Sequence, residues 1–313
     1  GGMIEYPTRF LNLAPIHPSV RERLDYKYAQ GLAEDLKYYA ERMRELALGQ
    51  IGQNYPDVSE SKHSEVKNKK VVAWLWARTV SSPNPAMRGA HVPLLKSSWI
   101  SKVNKNPAWV EIITDKQNRT FHFEIRTDGA PEQDGTVQRT SAICSLSGDA
   151  IPLSYIQQQG REGKLGQRLM AIVCKGQNEK VFIAPRQEHE EIAFNVRSEN
   201  VPHAKIDHWR SCTNCVVYGF DTFESLFTAR QLKTLTCLSD HVSIIRNEVI
   251  ERAKGIGMID DGVSLEAGGA GATAYADLLA LYMAVGVDRL TDRCSSVCGW
   301  NASNNSIRNT LLD

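Results

Sequence analysis

The chain has 313 residues, 42% hydrophobic and 23% charged, with a formal net charge of +1. That length can bury a large core and hold two domains, while the near-neutral balance excludes a global basic field towards nucleic acid. No run approaches the length of a membrane span and the N-terminus carries no secretory leader pattern. Seven cysteines, an odd number in a long chain, predict reduced thiols and a cytoplasmic setting.

Gly1-Gly2 reads as a tag remnant, and residues 3–18, punctuated by Pro7, Pro15 and Pro18, are expected to run extended over the surface. From Ser19, a candidate cap, to Gly49 the pattern turns helical, with Leu24, Tyr28, Leu32, Leu36, Tyr39, Met43 and Leu46 at three- and four-residue spacing. A core face is the plain reading of that stripe. Residues 53–70 are polar, end in Lys67-Asn-Lys-Lys70, and read as a solvated loop.

Residues 71–186 are β-rich. Trp109–Ile113 and Thr120–Arg126 alternate as strands around Asp115-Lys-Gln-Asn118, a hairpin turn, and Asp128-Gly129 and Asp134-Gly135 mark further turns. Gln157–Arg168 reads as a short helix broken by glycines; Leu169–Val173 and Lys180–Ala184 read as a buried strand pair. Residues 187–217 are expected to be an irregular linker. A helix follows from Thr228, paired with Gln231 as a capping box, to Lys254. A Gly-rich turn spans Gly255–Gly271, and a last helix, Ala272–Val297, packs antiparallel to the previous one. The predicted class is α+β: an N-terminal helix and loop (1–70), a β-rich module (71–186), the linker (187–217) and a helical hairpin region (218–313).

Two segments of the β-rich module make the same move. Val71–Ser81 runs into the turn Ser82-Pro-Asn-Pro-Ala-Met87, and Ile143 runs into Cys144-Ser-Leu-Ser147-Gly148; each exits through a hydrophobic-Pro-Leu step, Val92-Pro93-Leu94 and Ile151-Pro152-Leu153. Two facing turns with a Cys pair in each build a zinc ribbon. Here the four ligand positions are Ser82, Met87, Cys144 and Ser147, a single thiol in four, and zinc favours thiolate and imidazole. The reading is a ribbon-shaped module without its metal, its two turns held together through Trp74 and Trp76.

With Met3–Pro7, Gln30–Asp35, Ala73–Thr79, Pro83–Ala86, Leu169–Val173, Tyr218–Gln231, Tyr275–Asp288, Trp300 and Arg308-Asn-Thr310 in order, the chain resembles, over nearly its whole length, the adenine-specific DNA methylases that contain a zinc ribbon. The resemblance implies a DNA partner and an S-adenosylmethionine cofactor. Such enzymes bind that cofactor through a Gly-rich Asp-Pro-Phe-x-Gly-x-Gly loop and the target adenine through Asp/Asn-Pro-Pro-Tyr. Neither motif occurs here. The chain is therefore expected to lie between the cofactor half and the catalytic motif, to be inactive alone, to hold no cofactor itself, and to work with catalytic halves in cis or in trans. The setting the resemblance implies is restriction-modification or phage defence. The competing class is a structural or protein-interaction remnant that binds no DNA.

The β-rich module places cations among aromatics: Arg78, Arg88, Lys96, Lys102, Lys105, Arg119, Arg126 and Arg139 beside Trp99, Trp109 and His122. Lys and Arg neutralise phosphates, and aromatic rings stack on bases. An enzyme that flips an adenine out of a duplex must grip the backbone meanwhile. These eight residues are the candidate DNA contacts. Three other clusters point to plainer roles. Cys212-x-x-Cys215 and Cys294/Cys298 lack a matching knuckle and read as buried thiols. Gly268–Gly271 lacks the Lys-Ser/Thr and the preceding strand of a phosphate loop and reads as an interhelical turn. His189, His203 and His208 with Glu188, Glu190, Glu191 and Asp207 lack metal-site spacing and read as a solvated linker.

Overall fold

The computed structural model describes residues 5–20, 25–58, 69–199, 201–207 and 214–310. It has an N-terminal helix, a β-rich centre and packed helices towards the C-terminus. The chain divides into two compact units, one of Gly1–Gln53 with Gln231–Asp292, the other of Asn54–Arg230 with Arg293–Asp313. Among the described residues no helix is long and apolar enough to cross a membrane.

The first unit is helical. Helix α1 (Gln30–Ile51) turns Leu32, Tyr39, Met43 and Ala47 inward at helical spacing. Leu32, Tyr39 and Met43 share one core with Ile245, Val249 and Ala253 on one later helix and Tyr275, Leu278, Leu279 and Met283 on another. The helix expected from Ser19 starts only at Gln30. The Asn12 amide donates to the Tyr28 carbonyl, and the Tyr28 amide donates to Asn12 Oδ1. This clasp holds Tyr28 at a φ of 52°, in the left-handed region, which no helix can continue through. Leu24 lies outside the described residues. Residues 5–20 run over the surface, but with a helical turn at Tyr6–Phe10 and two side chains turned inward: Phe10 and Ile16 are fully buried, and Phe10 meets the Tyr275 ring edge-on at 5.2 Å. Their anchor is Asp35, whose buried carboxylate accepts the Ile16 and His17 amides and the Tyr275 hydroxyl.

The second unit is built on strand β1 (Val71–Ser81). It pairs antiparallel with β2 (His91–Leu94) on one side and on the other with β8 (Gly166–Lys175), which pairs in turn with β9 (Lys180–Ile183). A second sheet is the meander of β3 (Trp99–Ser101), β4 (Ala108–Asp115) and β5 (Thr120–Arg126). Ala73, Leu75 and Ala77 on one face of β1 pack with Ile100, Val110, Phe121 and Phe123 of that meander. Trp74 and Trp76 on the opposite face pack with Leu169, Ile172, Cys174 and Val58. Burial on both faces is why the strand reads as an unbroken apolar run.

The hairpin β6 (Ser141–Ile143) and β7 (Ala150–Pro152) forms the second knuckle. Its core with the first knuckle consists of Val80, Val92, Ala142, Cys144, Leu146, Ile151 and Ile156. Trp74 and Trp76, expected to hold the knuckles together, belong to a different core, packed on Leu169, Ile172 and Cys174, while Val80 further along β1 serves the knuckles. Helix α2 (Leu153–Arg161) begins directly after Pro152, earlier than the expected Gln157, and ends before Gly163, which stands at a φ of 66°.

The stretch 187–217, expected to be irregular, opens with helix α3 (Gln187–Asn195). Helix α4 (Ala229–Gly255) starts one residue after Thr228, and α5 (Ala272–Thr291) follows the Gly-rich turn. Helix α5 stops six residues before the expected Val297. Ser295 Oγ accepts the Val297 and Cys298 amides, offering the backbone a turn in place of the helix. The chain then adds a hairpin, β10 (Trp300–Asn301) and β11 (Ser306–Ile307), whose Trp300 Nε1 donates to the Ile100 carbonyl at 2.7 Å. Residues 293–313 thus belong to the β-rich unit.

Candidate functional site

The four ribbon positions meet at one place. The Cys144 thiol lies 3.4 Å from Ser82 Oγ and is hydrogen-bonded to Ser147, and Met87 packs against the core that contains Cys144. Asn84 Nδ2 of the first turn donates to Asp149 Oδ2 of the second at 2.6 Å. Both turns carry the backbone of tight knuckles. The Ser82 amide donates to the Ala90 carbonyl and the Gly148 amide to the Cys144 carbonyl, while Gly89 and Gly148 stand at φ of 76° and 80°. Burial pushes the Cys144 thiol pKa up, but hydrogen bonds with Ser147 and Ser82 and the backbone amides of Ser147 and Leu146 outweigh it, and the net shift is downward. Hydroxyls and a thioether stand where zinc would need thiolates. Among the described residues no three His, Cys, Asp or Glu side chains converge as metal ligands.

The outer face of the β3–β4–β5 meander carries the candidate DNA contacts in a row set by register. Trp99 lies opposite Trp109, and Trp109 opposite Arg126. Trp109 Nε1 donates to the Asp128 carbonyl, which fixes that ring across the sheet edge. Lys102 lies over Trp99 at 5.8 Å and reaches Asp134 at 3.8 Å; Lys96 and Lys105 are exposed nearby in sequence. Arg126 is held by two carboxylates, Glu111 at 2.5 Å and Glu124 at 2.9 Å, and these two raise its pKa, hydrogen bonding to Glu111 foremost. His122 is exposed and pairs with Glu124 at 3.5 Å.

The other four candidates stand apart from this row. Arg119, at a φ of 54° in the hairpin tip, donates to the Ala86 carbonyl of the first knuckle, which brings it towards exposed Arg88. Arg139 is exposed beside β6. Arg78 is half-buried on β1, with its guanidinium 4.6 Å from the Phe220 ring and Nη2 donating to Ser296 Oγ at 2.6 Å. Burial pushes its pKa down.

Of the histidines expected in a solvated linker, His189 takes a structural post, whereas His203 is exposed. His189 is buried on α3 against Trp74, and its Nδ1 accepts the Arg186 amide; burial foremost, then Arg186, lowers its pKa. Glu190 accepts from Arg168 Nε and the Leu169 amide, tying α3 to β8. His203 pairs with Glu224 at 3.0 Å. His208 and Cys212 lie outside the described residues. Cys298 Sγ bonds back to the Ser295 carbonyl, and burial and its neighbour Cys298 raise the Cys294 pKa.

Sequence reasoning did not single out Arg230. It is buried, with its guanidinium 4.8 Å from the Tyr55 and Trp74 rings and 6.0 Å from Trp76. Beside it a cleft of about 80 Å³ is lined by Trp76, Gln167, Phe194 and Thr228 among others. The available signal was the Trp-x-Trp-x-Arg alternation of β1, which places three large groups on one face. No family model, no curated protein and no solved structure matches the chain.

Proposed function

We propose that this chain is the non-catalytic central region of an adenine-specific DNA methyltransferase, or a truncated relative of one, and that its β-rich unit positions DNA. The observation that supports this most is the meeting of the two turns. Ser82 of the first turn meets Cys144 of the second, about sixty residues on, with Ser82 Oγ at 3.4 Å from the Cys144 sulfur; Ser147 hydrogen-bonds the same thiol, and Met87 packs against the same core. A tetrahedral zinc site with Zn–S of about 2.3 Å has ligand–ligand edges of about 3.8 Å, close to that separation. A degenerate zinc ribbon accounts for the geometry and for the substituted ligands together, and it agrees with the resemblance to these methylases drawn from the ordered segments along the chain.

The grip on DNA is assigned to the Trp99–Trp109 row with Lys96, Lys102 and Lys105, aided by Arg88 and Arg119 near the knuckle. Lysines at the rim neutralise phosphates while the aromatic row meets bases or sugars. S-adenosylmethionine and the transferred methyl belong to catalytic halves supplied in cis or in trans. The test uses this chain alone. Weak binding to duplex DNA in fluorescence anisotropy, with no heat on titration of S-adenosylmethionine and no labelled methyl transferred to adenine-containing duplex, supports the reading. Turnover above a no-protein control contradicts the non-catalytic assignment.

A second reading, a structural or protein-interaction remnant without DNA binding, is favoured by one observation: Glu111 and Glu124 already neutralise Arg126 at the end of the row. Absence of duplex binding at low salt would establish it in place of the first.

A further inference from the structure

On the face of β1 opposite the meander, Trp74, Trp76 and Arg78 follow at alternate positions, about 6.6 Å apart along the strand. Arg78 is the anomalous member. A guanidinium carries five N–H donors in a fixed fork, and a withdrawn cation is costly without an anion to meet it. Its hydrogen bond to Ser296 Oγ occupies one donor, and Phe220 covers one face of the fork. Ser296 Oγ in turn donates to the Leu226 carbonyl at 2.8 Å, so the hydroxyl is fixed as an acceptor towards Arg78. Among the described residues no carboxylate pairs with Arg78, and its other nitrogens are not sealed from solvent. A planar fork pre-set by a stacked ring and one hydroxyl, with donors to spare, is the arrangement that receives an oxyanion.

The neighbouring cleft supplies the other half of a ligand. Gln167, the cross-strand partner of Arg78, lines it, so the anion fork and the cleft adjoin. Its aromatic wall is Trp76 with Phe194, whose rings meet edge-on at 5.6 Å, and Phe194 is 43% exposed, so that side is open. The Gln167 amide offers a donor and an acceptor to the edge of a planar heterocycle. The cleft is too small for an extended ligand and suits the edge of one ring.

We infer that the Trp76 cleft and the Arg78 fork together form a receptor for one unpaired nucleotide, with its base against Trp76 and Gln167 and its phosphate on Arg78. The proposed function enters only in the choice of a nucleotide as ligand.

The probes are adenosine 5′-monophosphate and thymidine 5′-monophosphate, with the nucleosides and inorganic phosphate alone as controls. They are titrated into the full chain and followed by tryptophan fluorescence and amide chemical shifts. Duplex binding is measured separately by anisotropy. Monophosphates are expected to bind in the millimolar range, each at least about tenfold tighter than its nucleoside or phosphate, the ratio that one charge-assisted contact supplies. Arg78→Gln should remove that tenfold advantage and leave nucleoside affinity unchanged, and Trp76→Leu should weaken the nucleosides as well. If Arg78→Gln does not fold, Ser296→Ala, which only frees the guanidinium, should still weaken the monophosphates severalfold. No shift at about 10 mM monophosphate, or equal affinities for nucleotide and nucleoside, overturns the receptor. Duplex binding without monophosphate binding removes the receptor and leaves the proposed function standing; monophosphate binding without duplex binding does the reverse.

Discussion

Asp35 shows how much one side chain decides. Its carboxylate accepts two backbone amides and the Tyr275 hydroxyl in a fully buried position. Asp35→Ala would strand three donors, and at about 1–3 kcal/mol for each buried unpaired group the loss should be several kcal/mol in urea unfolding. Burial raises the Asp35 pKa against the lowering pull of those hydrogen bonds. A carboxylate with a folded pKa above its unfolded value of about 3.9 contributes stability that is full below that value and is lost as pH rises through the folded one. Stability of the wild type relative to Asp35→Asn should therefore decline with rising pH above about 4. A flat or rising difference would show that the hydrogen bonds win. At the knuckles, Ser82→Cys, Met87→Cys and Ser147→Cys together should create a four-thiol site. That variant should hold one zinc per chain by elemental analysis and lose melting temperature with a chelator, while the wild type does neither. A triple variant that takes up no zinc would argue against a ribbon geometry.

At the scale of elements, α2 and the turn after Tyr218 pack backbone to backbone. A Cβ on Gly160 would collide with the Tyr218 carbonyl, and one on Gly219, at a φ of 85°, would collide with the Gly160 carbonyl. Gly49, inside α1, faces open space. Gly160→Ala should thus destabilise by more than about 2 kcal/mol, whereas Gly49→Ala should stabilise by up to about 1 kcal/mol, both read from thermal or urea unfolding. The alternation of Trp109–Ile113 and Thr120–Arg126 was legible in the sequence because a half-buried strand shows its period of two directly, and Leu169–Val173 because a strand buried on both faces shows as a short apolar run. Helix α3 was not. Its buried face is His189 and Glu190, polar residues whose partners Trp74 and Arg168 are distant in sequence, so no apolar stripe marks it. The β10–β11 hairpin did leave a signal, with Asn305 at a φ of 53° in an Asn-rich turn between Trp300 and Ile307. Its short strands were hidden by the helical pattern that precedes them.

At the scale of the whole molecule, a net charge of +1 means that any hold on DNA comes from a local patch. Sequence spacing alone could gather the four ribbon positions, since each turn is local. It could not say which cations are free, because the carboxylates that occupy Arg126 and the ring and hydroxyl that hold Arg78 arrive from other strands and from the chain's far end. Lys96 and Lys105 are left as exposed cations beside the aromatic row, and Lys102 is exposed there too but within 3.8 Å of Asp134. The most direct test of the account is the slope of log K against log salt for a duplex, measured by anisotropy on the wild type and on Lys96→Ala/Lys102→Ala/Lys105→Ala. Each phosphate contact contributes about −0.9, so the triple variant should flatten the slope by up to about 2.7, while Arg126→Ala, whose charge is already paired, should leave it unchanged. Identical slopes for wild type and triple variant, or no duplex binding at low salt, would contradict it.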